Sequence, residues 1–201
     1  MWHLNRIFAS LTLLPLALGV AACSGESSAA PEPPPLEGAQ IGGPFTLMDK
    51  DGQTVRWADF AGKYRIVYFG YTYCPDACPM DVQAMMAGFS VFEKSAPQRA
   101  QKVQPIFISV DPARDTPEAV GRFAKAFHPR LLGLTGTPQQ VDAAAKAFAA
   151  YYSKGEESSG GYLMDHSRMA YLMAPDGKPL ALLAVDESPD AVAADLEKWV
   201  R

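Results

Sequence analysis

The order of apolar segments predicts an α/β domain with a mixed central sheet and helices on both faces. Two nearly continuous apolar runs, at residues 65–71 and 104–110, are typical of strands that are buried on both sides. Helical patterns with apolar residues three and four apart follow both runs, and two further short apolar runs flank a turn at Asp176-Gly177. Strands that alternate with helices and then end in a hairpin and a helix favour this layered arrangement.

The elements are bounded by recognisable turn and cap residues. An Asp51-Gly52 turn between alternating segments predicts an N-terminal β-hairpin extension over 45–57. Thr116-Pro117 combines a capping hydroxyl with a proline suited to the first helical position, and Ser188 caps the last helix. The predicted helices are 80–93, 116–127, 138–150 and 188–201, and the predicted strands after the hairpin are 65–71, 104–110, 131–135, 169–173 and 180–185.

The first 37 residues are expected to lie outside this domain. Residues 7–22 are apolar but shorter than the roughly 20 residues that a membrane span needs. They end in small residues before Cys23, which resembles a bacterial lipoprotein signal whose cysteine is lipidated; a retained anchor or plain secretion are the alternatives. The Ser-, Pro- and Glu-rich segment that follows is typical of a flexible tether. The predicted division is a signal peptide at 1–22, a tether at 23–37 and a folded domain at 38–201.

The composition and the predicted location of the domain limit the classes of function that the sequence allows. The net charge of −4 and the lack of any basic run argue against a nucleic-acid partner. A lipid on Cys23 would hold the domain in the periplasm of a bacterial cell envelope, on either the inner or the outer membrane. That compartment is oxidising, so exposed thiol pairs there form disulfides unless a reductant or a metal protects them.

With Cys23 lipidated, Cys74 and Cys78 are the remaining cysteines. A structural disulfide would close a very short loop and would therefore add little stability. The pair follows the first buried strand and precedes a helix, which is the thioredoxin-like plan, and such corners often carry function. We expect the helix N-terminus to lower the pKa of both thiols.

His166 is the candidate third ligand, because it lies in a segment just before a strand of the predicted hairpin. Of the other two histidines, His3 lies in the signal and His128 stops a helix. Two thiolates and an imidazole suit copper, since thiolates favour Cu(I) and a nitrogen donor allows Cu(II) as well. Zinc is the alternative, although structural zinc sites normally have four protein ligands.

Three carboxylates are candidates for a supporting role at this site. Asp76 is inside the cysteine loop, Asp165 adjoins His166, and Asp111 ends the second buried strand. Asp76 and Asp165 are either solvated loop residues or groups that orient the ligands or dock a partner. Asp111 belongs to a turn before a capped helix and, at the end of a parallel strand, would also lie near the edge of the sheet that carries the site, where it could serve the same roles.

Three motifs carry a family resemblance: YTYCPDACP at 71–79, DPARDTP at 111–117, and DHS at 165–167 followed by YLMAPDG at 171–177. Together they resemble the Sco/SenC family of copper proteins over about residues 38–201. The resemblance implies a thioredoxin-like fold and one copper ion, Cu(I) or Cu(II), bound by Cys74, Cys78 and His166. It implies delivery of copper to cytochrome c oxidase, usually to the CuA site. The implied partners are the copper-bearing oxidase subunit, a periplasmic copper donor and a thiol reductant.

The leading hypothesis is therefore a metallochaperone rather than an enzyme. The alternative is a thiol-disulfide oxidoreductase, in which Cys74 and Cys78 form a reversible disulfide. Three residues between the cysteines, instead of the two usual in thioredoxin-like oxidoreductases, favour metal binding. A peroxidase of the peroxiredoxin type is disfavoured by the second cysteine four residues after the first.

Overall fold

The structure is a computed structural model that describes residues 32–159 and 161–201. The predicted signal peptide, the lipidation site Cys23 and the first part of the tether lie outside the described residues. In chain order the strands are β1 (Thr46–Met48), β2 (Thr54–Arg56), β3 (Tyr64–Gly70), β4 (Val103–Ser109), β5 (Leu132–Leu134), β6 (Tyr152–Lys154), β7 (Met164–His166), β8 (Ala170–Met173) and β9 (Pro179–Leu183). The helices are α1 (Ala77–Ser95), α2 (Pro97–Ala100), α3 (Pro117–Phe127), α4 (Pro138–Ala147) and α5 (Pro189–Trp199).

A five-stranded mixed sheet forms the centre, with the strand order β5-β4-β3-β8-β9. β3 is parallel to β4 and antiparallel to β8, so the predicted mixed sheet is confirmed. Every residue of β3 is buried, as its continuous apolar sequence predicts. β3 is therefore enclosed along its whole length, and the chain leaves it directly into the cysteine segment.

Helices cover both faces of this sheet, which also confirms the prediction. Consecutive residues of β3 point to opposite faces. Tyr68 bonds to Asp81 of α1 on one face, while the ring of Phe69 contacts Phe148 at the end of α4 on the other, with 5.5 Å between centroids. With the cysteines between β3 and α1, this is the thioredoxin-like arrangement.

The N-terminal hairpin is present as β1 and β2, with Thr46 opposite Arg56. Its turn is held by Asp49, whose carboxylate accepts hydrogen bonds from two later backbone N–H groups at 2.9 Å. Gly52 takes a positive φ of 71°, which favours glycine there. The hairpin extends the domain through a bridge from Met48 to Thr135, beside the edge strand β5.

The compact unit begins at Pro33, a few residues before the predicted end of the tether. Glu37 N–H donates to the carbonyl of Pro34 at 2.9 Å, and Leu36 N–H donates to the carbonyl of Leu180 in β9 at 3.0 Å. This short turn therefore lies on the edge of β9, where Leu36 is half-buried. No helix among the described residues is both long and apolar enough to cross a membrane.

Two local differences from the sequence prediction affect the site. α1 begins at Ala77, three residues earlier than expected, so that Cys78 lies in its first turn. The segment on either side of the polar loop at 155–161 was not predicted as strand. It forms a separate two-stranded sheet of β6 and β7, in which Tyr152 lies opposite His166. Strands of three residues are too short to show a clear alternation in the sequence.

Candidate metal centre

The two cysteines lie at the corner between the central strand and helix α1. Both are free thiols; Cys78 is fully buried and Cys74 is partly exposed. Gly70, the last residue of β3, gives Cys78 its space: a methyl group there would lie 3.4 Å from Cys78 Sγ and 3.0 Å from the rings of Tyr68 and Phe107. The dithiol is therefore built into the core, with only Cys74 reaching towards solvent.

His166 completes the cluster from the separate β6–β7 sheet. Its Nε2 lies 2.8 Å from Cys78 Sγ, and the two sulfurs and this imidazole offer ligand atoms that all lie within 4.8 Å of one another. The imidazole edge contacts the rings of Tyr68 and Tyr71, at centroid distances of 6.2 and 5.9 Å. The structure thus brings together all three of the ligands that the sequence predicts.

A backbone carbonyl sets the tautomer of His166. Nδ1 lies 2.9 Å from the carbonyl oxygen of Ser167, which can only accept, so Nδ1 carries the hydrogen. Nε2 then presents its lone pair to the sulfurs, with Cys78 Sγ at 2.8 Å. This is the orientation that a metal-binding histidine needs, since the nitrogen that faces away is held by a hydrogen bond.

The two thiols have opposite pKa shifts. Burial, followed by the neighbouring Cys74, raises the pKa of Cys78 above its ordinary value. Burial also opposes ionisation of Cys74, but hydrogen bonds from the Cys78 thiol and from the backbone N–H groups of Asp76 and Cys78 outweigh it and lower the pKa of Cys74. The expectation that both thiols would be acidified is therefore correct for Cys74 and wrong for Cys78. Loss of water around the buried sulfur exceeds the effect of the helix N-terminus.

The carboxylates predicted near the site do not touch the three ligands. Asp76 is exposed at the start of α1 and makes no side-chain capping bond. Asp165 is exposed in β7, where alternation turns it away from the side on which His166 lies. Asp111 is buried, and its carboxylate accepts from Arg114 Nε at 2.5 Å and from the Tyr162 hydroxyl at 2.8 Å. A role for Asp76 or Asp165 in docking stays a prediction.

Asp111 and its partner Arg114 contact the segment that leads into β7. Arg114 Nη1 also donates to the carbonyl of Tyr162 at 2.9 Å, and its guanidinium lies 3.6 Å from the centre of the Tyr162 ring. The same guanidinium lies 5.0 Å from the ring of Tyr73, which precedes Cys74. Asp111 and Arg114 therefore connect the cysteine segment to the chain that leads to His166.

A second polar group that connects the two segments was missed from the sequence. The carboxylate of Asp81 in α1 is buried and accepts from the Tyr68 hydroxyl at 2.8 Å and from two nitrogens of Arg168 at 2.9 and 2.6 Å. An acidic residue amid the apolar positions of α1, one turn after Cys78, was the available signal. Its cation follows His166 by two residues, which only the folded chain reveals.

The ligand atoms of the centre determine which metal ions it suits. Two sulfurs and one imidazole nitrogen form a soft, three-ligand set that suits copper better than a hard cation. Among the described residues no further histidine, cysteine or carboxylate joins this cluster. The exposed side of Cys74 leaves room for a ligand from another molecule.

Comparison with known proteins identifies relatives along nearly all of the described chain. A sequence model of the SCO1/SenC family matches residues 33–201. Protein SenC of Rhodobacter capsulatus is 43% identical over 189 residues, which cover 93% of this chain and 80% of SenC. The mitochondrial SCO1 homolog 1 of Arabidopsis thaliana is 38% identical over 175 residues, which cover 87% of this chain and 52% of the relative. The chain thus spans about half the length of that relative.

Solved structures of Sco proteins are also similar to this chain, both in fold and in sequence. The crystal structure of Arabidopsis thaliana ScoI with copper bound has a TM-score of 0.73 and 39% identity, and covers 79% of this chain and 96% of that one. BsSco, a member of the Sco family of cytochrome c oxidase assembly proteins with a disulfide switch, has a TM-score of 0.57 and 25% identity, over 80% of this chain and 94% of that one.

Proposed function

This chain belongs to the SCO1/SenC family, and from that premise we propose that it is a copper metallochaperone for a respiratory oxidase. Cys74, Cys78 and His166 bind one copper ion as cargo and release it to the copper-bearing subunit of cytochrome c oxidase, at the CuA site, during assembly. The observation that carries the proposal is the cluster of two sulfurs and Nε2 within 4.8 Å, with the imidazole already turned to present its lone pair.

The donor set suits copper in both oxidation states. Thiolate sulfurs from Cys74 and Cys78 hold Cu(I), and the nitrogen of His166 adds the donor that Cu(II) favours. Cys74 is the more acidic thiol and is ready to bind as thiolate, whereas Cys78 gives up its proton when the metal arrives. Release then proceeds by ligand exchange, in which an incoming thiolate or imidazole of the acceptor binds copper on the exposed side of Cys74.

The surface around the site supports contact with an acceptor protein. Tyr73, Met80 and Leu163 are large apolar residues that stay exposed in the segments that carry the ligands. We propose that these side chains form one apolar patch around the site, and a contiguous exposed apolar patch marks a surface for another protein. We infer that the acceptor docks here, with the partly exposed Cys74 facing it.

The location follows from the predicted leader. A lipid on Cys23 would anchor the chain to a membrane of the bacterial cell envelope and leave the domain in the periplasm. The copper donor and the thiol reductant that the cycle requires would then be periplasmic, because copper can load only onto the reduced pair.

A thiol-disulfide oxidoreductase is the second candidate, and one observation favours it. Cys74 is partly exposed with a lowered pKa, while Cys78 is buried with a raised pKa, which is the arrangement of an attacking and a resolving thiol. In this reaction the Cys74 thiolate attacks a disulfide of the partner, and Cys78 then displaces the partner's sulfur. The partner's disulfide is reduced while Cys74 and Cys78 are oxidised to a disulfide.

Two measurements test the proposal. The reduced domain should take up one Cu(I) per chain, counted by metal analysis after gel filtration. A strain that lacks the gene should have less copper in its oxidase, and Cys74→Ser, Cys78→Ser and His166→Ala chains should fail to restore it. A reduced domain that takes up no copper, together with normal reduction of a partner disulfide, would replace this proposal with the oxidoreductase.

A further inference from the structure

The ligand His166 reaches the dithiol from outside the central sheet. It belongs to β7, which pairs with β6 in a sheet of its own. A two-stranded sheet is marginal by itself in water, so its position depends on contacts with the rest of the domain. The distance between His166 and Cys78 is therefore set by whatever fastens β7 to α1.

Asp81 and Arg168 make that connection. Asp81 follows Cys78 by three residues in α1, and Arg168 follows His166 by two residues. Both carboxylate oxygens of Asp81 accept from Arg168, Oδ2 from Nε at 2.9 Å and Oδ1 from Nη2 at 2.6 Å. A two-point contact fixes direction as well as distance, because the planar guanidinium matches the carboxylate. Asp81 thus lies one helical turn from the ligand Cys78, and Arg168 lies two residues from the ligand His166.

Burial makes this contact stronger than an ordinary surface ion pair. The side chain of Asp81 is only 2% exposed, whereas that of Arg168 is 50% exposed. Without Arg168 the Asp81 carboxylate would remain buried with the Tyr68 hydroxyl as its described donor, and an uncompensated buried charge is costly. The ion pair of Arg122 with Glu118, which is of comparable length, joins two exposed side chains and contributes little.

Tyr68 connects the pair to the imidazole itself. Its hydroxyl donates to Asp81 at 2.8 Å, and its ring meets the ring of His166 edge-on with 6.2 Å between centroids. The imidazole is therefore supported through its backbone by Arg168 and at its ring by Tyr68, and both supports end on Asp81.

We propose that Arg168 and Asp81 are positioning residues that hold His166 against Cys78 and thereby decide how strongly the site retains Cu(II) relative to Cu(I). The inference rests on copper binding in the proposed function. Cu(II) depends on the nitrogen donor, so it weakens when β7 is released from α1. Cu(I) depends mainly on the two sulfurs, which β3 and α1 hold without Arg168.

The test compares Arg168→Met with Arg168→Lys and a matched control, Arg122→Met, which removes an exposed ion pair on α3. Cu(II) and Cu(I) affinities are measured by ligand competition, with the visible thiolate-to-Cu(II) absorption as a signature of the site. We expect Arg168→Met to lower Cu(II) affinity about tenfold or more and Cu(I) affinity less than about threefold. Arg168→Lys should have a Cu(II) affinity between those of wild type and Arg168→Met, because a single ammonium group cannot make the two-point contact of a guanidinium.

A double variant, Asp81→Asn with Arg168→Met, guards against loss of fold, because it removes the pair without leaving a buried charge. It should show the same selective loss of Cu(II). Hydrogen exchange of the copper-free protein adds a readout that needs no metal: the β7 amides should exchange about tenfold faster in Arg168→Met than in Arg122→Met.

Unchanged Cu(II) affinity and absorption in Arg168→Met, or equal losses of Cu(I) and Cu(II), would overturn the positioning role. If wild-type protein takes up no copper, the proposed function fails, and the exchange of the β7 amides then decides the positioning role alone. Unchanged exchange in that case would overturn it.

Discussion

Cys78 and His166 face each other across 2.8 Å, yet they belong to parts of the molecule that are stabilised differently. We call Cys74, Cys78 and their supports in β3 and α1 the dithiol half of the site, and His166 with β6 and β7 the imidazole half. The dithiol half is continuous with the core: β3 is buried throughout and Cys78 is fully buried. The imidazole half is a small separate sheet, which the buried Met164 ties to the core and the contact of Arg168 with Asp81 ties to α1.

The difference fits the proposed function, in which the site binds copper firmly and still releases it. A buried, close-packed corner keeps the sulfurs in place because the core moves little. A two-stranded sheet with a single buried residue can open at a smaller free energy than global unfolding requires. We infer that the dithiol half determines whether copper binds and that the imidazole half adjusts its oxidation state and release.

Removal of the buried sulfur should have the largest effect. Cys78→Ser keeps the size and a hydroxyl that can donate to His166, so the fold should persist. Affinity for both Cu(I) and Cu(II) should fall by more than the roughly 100-fold that loss of an outer-sphere contact typically costs. Competition titration and a thermal melt of the copper-free protein check this. Retained Cu(I) binding with an unchanged melting temperature would show that Cys74 and His166 are enough to bind Cu(I). The dithiol half would then not determine whether copper binds.

Removal of the imidazole should separate the two oxidation states. His166→Ala leaves both sulfurs in place, so Cu(II) affinity should fall about 10- to 100-fold while Cu(I) affinity changes several-fold at most. The reduction potential of the Cys74–Cys78 pair should change less than the Cu(II) affinity, because both sulfurs remain in place. Equal Cu(II) affinity in the variant and the wild type would remove His166 from the ligand set.

The sequence predicted the dithiol half well and the imidazole half poorly. Long apolar β3 and the cysteine motif are local signals, and both were assigned correctly, apart from a helix that starts at Ala77 instead of 80. β7 has only three residues, and its fastening by Arg168 to Asp81 joins positions 87 residues apart. A pairing of that kind leaves no periodic pattern in a single sequence.

The pKa of Cys78 also could not be predicted from the sequence. The helix N-terminus suggested acidification, but the sign depends on how much water reaches the sulfur, and Cys78 has none of its surface exposed. The partners of Asp111 could not be predicted from the sequence either: its carboxylate accepts from Arg114 and from Tyr162, which lie far apart along the chain.

The raised pKa of Cys78 predicts how pH acts on the reduced, copper-free protein. In the unfolded chain this thiol ionises near its ordinary pKa of about 8.5, but in the folded protein burial keeps it protonated. Above about pH 8.5 the folded state therefore binds one more proton than the unfolded state, and stability falls as pH rises, by about 1.4 kcal/mol per pH unit. Below that pH the contribution is fully present.

Urea unfolding of the reduced protein at several pH values between 7.5 and 10 measures this slope. Cys78→Ser is the control, since serine does not ionise in this range. In this variant the free energy of unfolding should fall less steeply with pH, by the part that one ionising thiol contributes. Identical slopes in the variant and the wild type would mean that the buried thiol ionises normally and that the dithiol half is more open to water than its burial indicates.

The smallest effect is expected at the apolar surface where we place the acceptor. Leu163 is 56% exposed beside the imidazole half, and Val91, 40% exposed on the outer part of α1, is the matched control. Leu163→Ser should leave Cu(I) affinity unchanged and slow transfer to the soluble copper-bearing domain of the oxidase subunit about fivefold, because one contact residue is removed from a protein interface. Val91→Ser should change neither. Stopped-flow absorption measures the transfer, and equal slowing by both variants would place docking elsewhere, away from the half of the site that we expect to open during release.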